Sequence, residues 1–195
     1  MSLKLNSSGG GSVTLQEPST ATNGTLTFPE GTGTVAVNGL SSNIVSGTSV
    51  ASTSGTSIDF TGIPSWVKRV TVMLNVVSTN GSSNWLVQVG AGSVTNSGYA
   101  SSAVQMAASN TAASSTAGFI VTGAFAASLA YSGHVVITNI TGNTWVLSSN
   151  VAGSAGNNSV AAGNIALGGT LDRVRITTVG GTDTFDAGSI NILYE

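Results

Sequence analysis

The chain contains no cysteine and one histidine, His134, in 195 residues. Disulfides and thiolate metal sites are therefore excluded. A zinc site, which takes three or four ligands from Cys, His and carboxylate, has little to draw on. Charge is equally scarce: 6% of the residues are charged, against roughly 25% in ordinary soluble domains. Five Lys plus Arg and a pI of about 5.1 leave no basic footprint for nucleic acid and none for anionic lipid. No run approaches the roughly 18 apolar residues of a membrane-spanning helix, and the opening Met1–Gly11 lacks the apolar h-region of a signal peptide. The expectation is a protein made in the cytoplasm without an export signal, with no nucleic-acid partner and no membrane insertion. Partners must be held by shape, hydrogen bonds and apolar contact, which salt screens weakly.

Gly, Ser, Thr and Asn fill the place of the missing types and make up half of the chain. Such a composition can accompany disorder, so the apolar content decides. Leu, Ile, Val and Phe are a quarter of the residues, above the roughly 20% below which highly charged chains stay unfolded. The net charge is only −2, and the chain is expected to fold. Valine outnumbers leucine 22 to 12. β-branched residues suit a pleated, half-buried surface, and Asn and Gly suit the turns between strands. These features predict an all-β fold.

Residues 1–40 read as an extended N-terminal β appendage. Ser12–Gln16 and Thr25–Phe28 alternate apolar and polar residues and end near Pro18 and Pro29, the pattern of strands with one buried face. Two such strands cannot stand alone in water, so the segment is expected to serve anchoring and oligomerisation, covered by other chains. Residues 41–57 are a Ser/Gly/Thr-rich linker or loosely held lead-in strand.

Residues 58–195 read as one antiparallel β-sandwich whose eight or so strands fit a jelly roll. Val70, Val72, Leu74 and Val76 share one face, as do Trp85, Val87 and Val89, and Asn80-Gly81 between them is a hairpin signal. Further strands are expected at Phe119–Thr122, His134–Ile140, Thr144–Leu147, Asn164–Leu167, Arg173–Val179 and Ser189–Tyr194, with a second hairpin at Thr141-Gly142-Asn143. Val136, Trp145, Ile176, Ile190 and Ile192 complete the expected core. The Ala- and Ser-rich stretch 99–130 reads as a short helix or a long irregular crossover.

The run Gly9-Gly10-Gly11 leads into Val13-Thr14-Leu15-Gln16-Glu17-Pro18 and Thr25-Leu26-Thr27-Phe28-Pro29. This arrangement resembles the start of fibre-type virion structural proteins of tailed bacteriophages. Thr56–Val72, Asn84–Gly90, Gly133–Trp145 and Gly169–Glu195 are similar to segments of the same group. The resemblance covers nearly the whole chain but does not distinguish tail fibre, head fibre or capsid decoration. It implies a homotrimer, other virion proteins as partners of the N-terminal segment, and a place in the virion.

A search for chemistry assigns no catalytic, cofactor-binding or metal-binding residue. A Ser-His-Asp triad through His134 is arithmetically open, but no Gly-x-Ser-x-Gly elbow is present; a solvent-facing or cross-strand histidine is the plainer reading. Gly31-Thr32-Gly33-Thr34-Val35-Ala36 matches the dinucleotide fingerprint without its strand-to-helix context. Asp183 and Asp186 in one Gly-rich turn read as turn caps, with a calcium site as the alternative. Arg173 and Arg175 share a strand face that is either solvated or paired with Asp59 or Asp186 of another subunit. Trp66, Trp85 and Trp145 read as core or interface packing, with a sugar-stacking platform as the alternative. The sequons at Asn6, Asn23, Asn80, Asn139 and Asn157 are chance matches in a chain so rich in Asn, Ser and Thr.

Two functions from different classes remain. One is a non-enzymatic virion structural protein, a short fibre or decoration anchored by its N-terminal segment and displaying a sandwich head for host attachment. The other is a carbohydrate-binding module that recognises a host surface glycan. A bacterial adhesin is disfavoured by the missing export signal, and a glycosidase by the missing carboxylate pair.

Overall fold

A computed structural model of the chain describes residues 2–6, 9–10, 12–16, 44–127 and 129–195. The chain divides into two units, Met1–Ser41 and Ser42–Glu195. In the first, β1 (Ser2–Asn6) and β2 (Ser12–Gln16) form an antiparallel hairpin in which Ser2 faces Gln16 and Asn6 faces Ser12. The strand expected at Ser12–Gln16 is present, and its partner is the segment just before the glycine run. The strand expected at Thr25–Phe28 and the Gly31–Ala36 motif lie outside the described residues.

The second unit is all-β and antiparallel, with no helix among the described residues. Its strands are β3 (Val45–Ser46), β4 (Val50–Ala51), β5 (Ile58–Thr61), β6 (Arg69–Thr79), β7 (Trp85–Ala91), β8 (Ser93–Val94), β9 (Ala100–Met106), β10 (Thr111–Ser115), β11 (Phe119–Ile120), β12 (Tyr131–Thr141), β13 (Thr144–Gly153), β14 (Asn158–Ala166), β15 (Arg173–Thr178) and β16 (Phe185–Tyr194). The large sheet runs β10-β9-β14-β13-β12-β6-β16-β3, with β4 also on β16; the small sheet runs β11-β7-β15-β5, with β8 on β7. Alternating residues from both sheets meet in one apolar cluster, the arrangement of a β-sandwich.

Strand alternation explains most of this core. Val70, Val72, Leu74, Trp85, Val87, Trp145, Ile176, Ile190 and Ile192 are buried as expected. Trp85 sits at the centre, its ring 5.1 Å from Phe125, 5.8 Å from Tyr131 and 6.2 Å from Phe185. Burial of such large rings contributes several kcal/mol each, on the order of 3–5 by truncation.

The structure corrects the sequence reading at four places. Asn80-Gly81 does not close a hairpin, because β6 and β7 lie in different sheets. The turn crosses between the sheets and is fastened to the loop before β16: the Thr184 N–H donates to Asn80 Oδ1 (2.8 Å) and the Ser83 N–H to Asp183 Oδ2 (2.8 Å). A Cβ on Gly81 would collide with the Asp183 carboxylate, so the glycine serves close packing here. The hairpin at Thr141-Gly142-Asn143 does form, between β12 and β13.

Residues 99–130 hold the β9–β10 hairpin and β11 in place of a helix or crossover. Small residues suffice because side-chain hydrogen bonds tie the segment down. The Ile120 N–H donates to Ser101 Oγ (3.0 Å), the Ala124 N–H to Gln105 Oε1 (3.1 Å) and the Gly123 N–H to Ser159 Oγ (3.1 Å).

Val136 is half-buried, whereas Val135 and Ile137 are fully buried. Three apolar residues in a row carry no alternation, and pairing decides: Val135 lies opposite Val72 and Ile137 opposite Val70, both inward-facing. Val76 departs from its expected face as well, being 53% exposed while Val77 is buried. The pairing of β6 slips against both neighbours at this level, and Val76 adopts φ of 52°, the left-handed region. A β-branched residue there is strained. Opposite it, Gly188 has φ of 89°, and a Cβ would collide with the Asn75 and Val76 carbonyl oxygens.

Candidate functional site

The residues singled out by chemistry that lie within the described residues have the following positions. His134 is exposed on the outer face of the large sheet, opposite Asn150 of β13 and Met73 of β6; neither cross-strand neighbour is a carboxylate. Asp183 accepts from the Ser83 N–H (2.8 Å) and Asp186 from the Ser78 hydroxyl. Both thus brace the crossing of the 78–84 and 183–187 segments, with bonds to the opposing strand and loop in place of the expected bonds to their own turn. Among the described residues, no three of His, Cys, Asp and Glu come together as metal ligands.

The arginines of β15 are paired within the chain. Arg175 Nε and Nη2 donate to Asp59 Oδ1 and Oδ2 at 2.6 and 3.1 Å, across the β5–β15 register. Arg173 grips its neighbour Asp172 in the same two-pronged way, at 2.7 and 3.2 Å. The Asp59 partner considered for another subunit is therefore met in cis, and Asp186 is engaged by Ser78. The Arg173 hydrogen bond lowers the Asp172 pKa below its ordinary value, against a weaker opposing effect of burial, and the Gly92 N–H adds to the lowering.

Buried tyrosines are structural. Burial pushes the Tyr99 phenol up to about 12, a hydrogen bond from Val89 opposing. Its oxygen accepts from the Val89 N–H (2.9 Å) and donates to the Thr95 carbonyl (3.0 Å), which fixes the loop after β8.

Two surface features remain. From Val70 to Leu171 the sequence has no Asp, Glu, Lys or Arg, and this stretch supplies all of β9, β10, β12, β13 and β14. The outer face of that half-sheet is consequently free of fixed charge. Along one row Ala112, Val104, Val160, Asn150, His134, Met73 and Asn191 lie side by side. Val104, Met106 and Val160, on the adjacent strands β9 and β14, are 37%, 42% and 36% exposed. The outermost strand β10, Thr-Ala-Ala-Ser-Ser, has none of the Lys, Pro or bulge devices that protect a free edge.

The second feature is Trp66. Trp85 and Trp145 are core residues, but Trp66 is 48% exposed. It sits on a turn closed by the Val67 N–H to the Pro64 carbonyl (3.1 Å), with Ile63 and Val67 plugged into the core on either side. Its ring lies 6.0 Å from that of Tyr194, tilted by 50°. Tyr194 also lines a groove of about 250 Å³ between β16 and β5, with Thr48, Asp59, Phe60, Thr61 and Ile192 among its walls. The sequence reading grouped Trp66 with the core tryptophans and passed over Tyr194 and the Val104–Val160 pair. A tryptophan directly after Pro-Ser, off the strand alternation, was the signal for the first; the uncharged stretch was the signal for the last.

Comparison with protein-family models, curated proteins and solved structures returned no match.

Proposed function

We propose that the chain is a non-enzymatic structural protein of a bacteriophage particle, a short fibre or decoration. In this reading the N-terminal segment anchors it to other particle proteins, and a jelly-roll-like sandwich forms a homotrimeric head directed outward. The observation that carries it is the uncharged outer half of the large sheet, with Val104, Met106 and Val160 exposed on it. Interface cores are depleted in charged residues, and a wide sheet face ending in an unguarded edge strand is a surface that another copy covers. The resemblance of the Gly9–Pro18 and Thr25–Pro29 motifs to fibre-type proteins supports the kind of particle. Imaging of intact particles labelled with an antibody to this chain tests the reading. Label on projecting fibres or on the capsid surface is the expected result, and particles without label would overturn it.

A second reading, recognition of a host surface glycan by the same head, is favoured by one observation: the exposed Trp66 ring against Tyr194 beside a polar-edged groove. The two readings are compatible, because a binding site is grafted on a fold and not dictated by it.

A further inference from the structure

Trp66 is left unused by self-association through the large sheet. A half-exposed indole is a large apolar surface left in water, and here a second ring and a groove accompany it. The groove opens between the last strand of the large sheet and the edge strand of the small one. Phe60 and Ile192, 8% and 3% exposed, form its floor, while Thr48, Thr61 and Asp59 stand at its exposed edge. Its volume of about 250 Å³ lies just under the roughly 300 Å³ where drug-sized pockets begin, which is room for one ring and no more.

The electrostatics narrow the ligand. The Asp59 carboxylate is held by Arg175 through two bonds and also accepts from the Ser57 hydroxyl at 3.1 Å. The pair is neutral overall, so the site offers fixed acceptors without attracting a cation. Arg69 is likewise paired with Glu195, so both arginines near the groove already have an acidic partner. The Tyr194 phenol makes no hydrogen bond to another described residue. Aromatic faces for C–H surfaces, edged by hydroxyls and an oriented carboxylate, match a neutral polyol.

We propose that the groove lined by Tyr194 and Asp59, with the exposed Trp66 ring standing beside it against Tyr194, binds one terminal pyranose of a neutral glycan. The sugar's apolar face packs against the aromatic edge of the groove, on Tyr194 with the tilted Trp66 ring beside it, and its hydroxyls reach Asp59 and the Tyr194 phenol. The proposal rests on the carbohydrate reading above and places its site.

Acrylamide quenching of tryptophan fluorescence tests this on the full chain, because Trp85 and Trp145 are 0% and 3% exposed and Trp66 alone is open to the quencher. The probes are neutral oligosaccharides ending in glucose, galactose, mannose and N-acetylglucosamine, with calorimetry run in parallel. At least one probe is expected to shield Trp66 saturably. Trp66→Ala should then weaken the calorimetric affinity about tenfold or more, and Tyr194→Phe a few-fold, with thermal unfolding unchanged in both. Heat of binding that survives Trp66→Ala undiminished would leave the carbohydrate reading standing and overturn this site. Absence of both shielding and heat with every probe would overturn site and reading together. Loss of oligomer mass in Trp66→Ala would assign Trp66 to a subunit contact and overturn the proposal.

Discussion

The outer half of the large sheet and the small sheet treat charge in opposite ways. Strands β9, β10, β12, β13 and β14 contain no Asp, Glu, Lys or Arg, and they make up the outer half of the larger sheet. On the small sheet, β5 and β15 carry Asp59, Arg173 and Arg175, and every one of these charges has a partner within the chain. Exposed ion pairs contribute little to stability, about 0–1 kcal/mol, so the pairs on the small sheet are not what holds the fold together. They keep that face hydrated and electrically neutral. The uncharged half of the large sheet has no such provision, and under the proposed self-association its low charge suits the core of an interface. On the proposed reading, one face is left to water and the other to a neighbouring copy.

The strongest way to break both sides at once is through their common core. Trp85→Ala empties the space between the sheets and should destabilise the unit by about 3–5 kcal/mol, read as a lower midpoint in urea unfolding. A smaller shift would mean that the sheets are held by something other than the aromatic cluster. Val104→Asp separates the faces. Burying an unpaired carboxylate costs several kcal/mol, whereas an exposed substitution changes folding by about 0.5 kcal/mol or less. The variant should lose subunits while each subunit keeps its melting temperature.

Val76→Gly sharpens the picture of the bulge. The left-handed backbone at φ of 52° disfavours a β-branched residue by about 1–2 kcal/mol, and glycine's extra freedom when unfolded offsets part of that. A net rise in stability of up to about 1 kcal/mol is expected from chemical denaturation. A fall would show that Val76 makes apolar contacts in the assembly.

The smallest effects belong to the charged side. Asp172 has its pKa lowered by the Arg173 hydrogen bond. Its contribution to stability is therefore present above the unfolded value of 3.8 and disappears as pH falls through the lower folded value. Asp172→Asn should melt slightly below the parent chain at neutral pH and coincide with it at strongly acid pH. An equal gap at both would mean that the loss is not electrostatic. Arg175→Ala should cost about 1 kcal/mol at most and less at high salt, measured as the salt dependence of the melting temperature.

Strand positions were legible where apolar and polar residues alternate, as in Arg69–Leu74 and Arg173–Thr178, because period two fixes which side faces inward. Legibility failed where that signal is absent. Val135-Val136-Ile137 gives no alternation, and the bulge at Val76 depends on Gly188, more than a hundred residues away. Ala100–Ser115 has small residues whose strand character comes from partners on β14 and from the serine and glutamine side-chain bonds. Asn80-Gly81 has the chemistry of a hairpin turn, but its asparagine and glycine serve Thr184 and Asp183. The groove beside Trp66 was not legible at all, since it joins β5 to β16 from opposite ends of the unit.

The central claim, that the uncharged half-sheet is a contact between copies, is tested most directly by native mass spectrometry of the full chain beside its Val104→Asp variant. Three copies of the 19.2 kDa chain are expected for the first and a folded single copy for the second. A parent chain that stays monomeric, with its N-terminal segment intact and resistant to protease, would contradict the account.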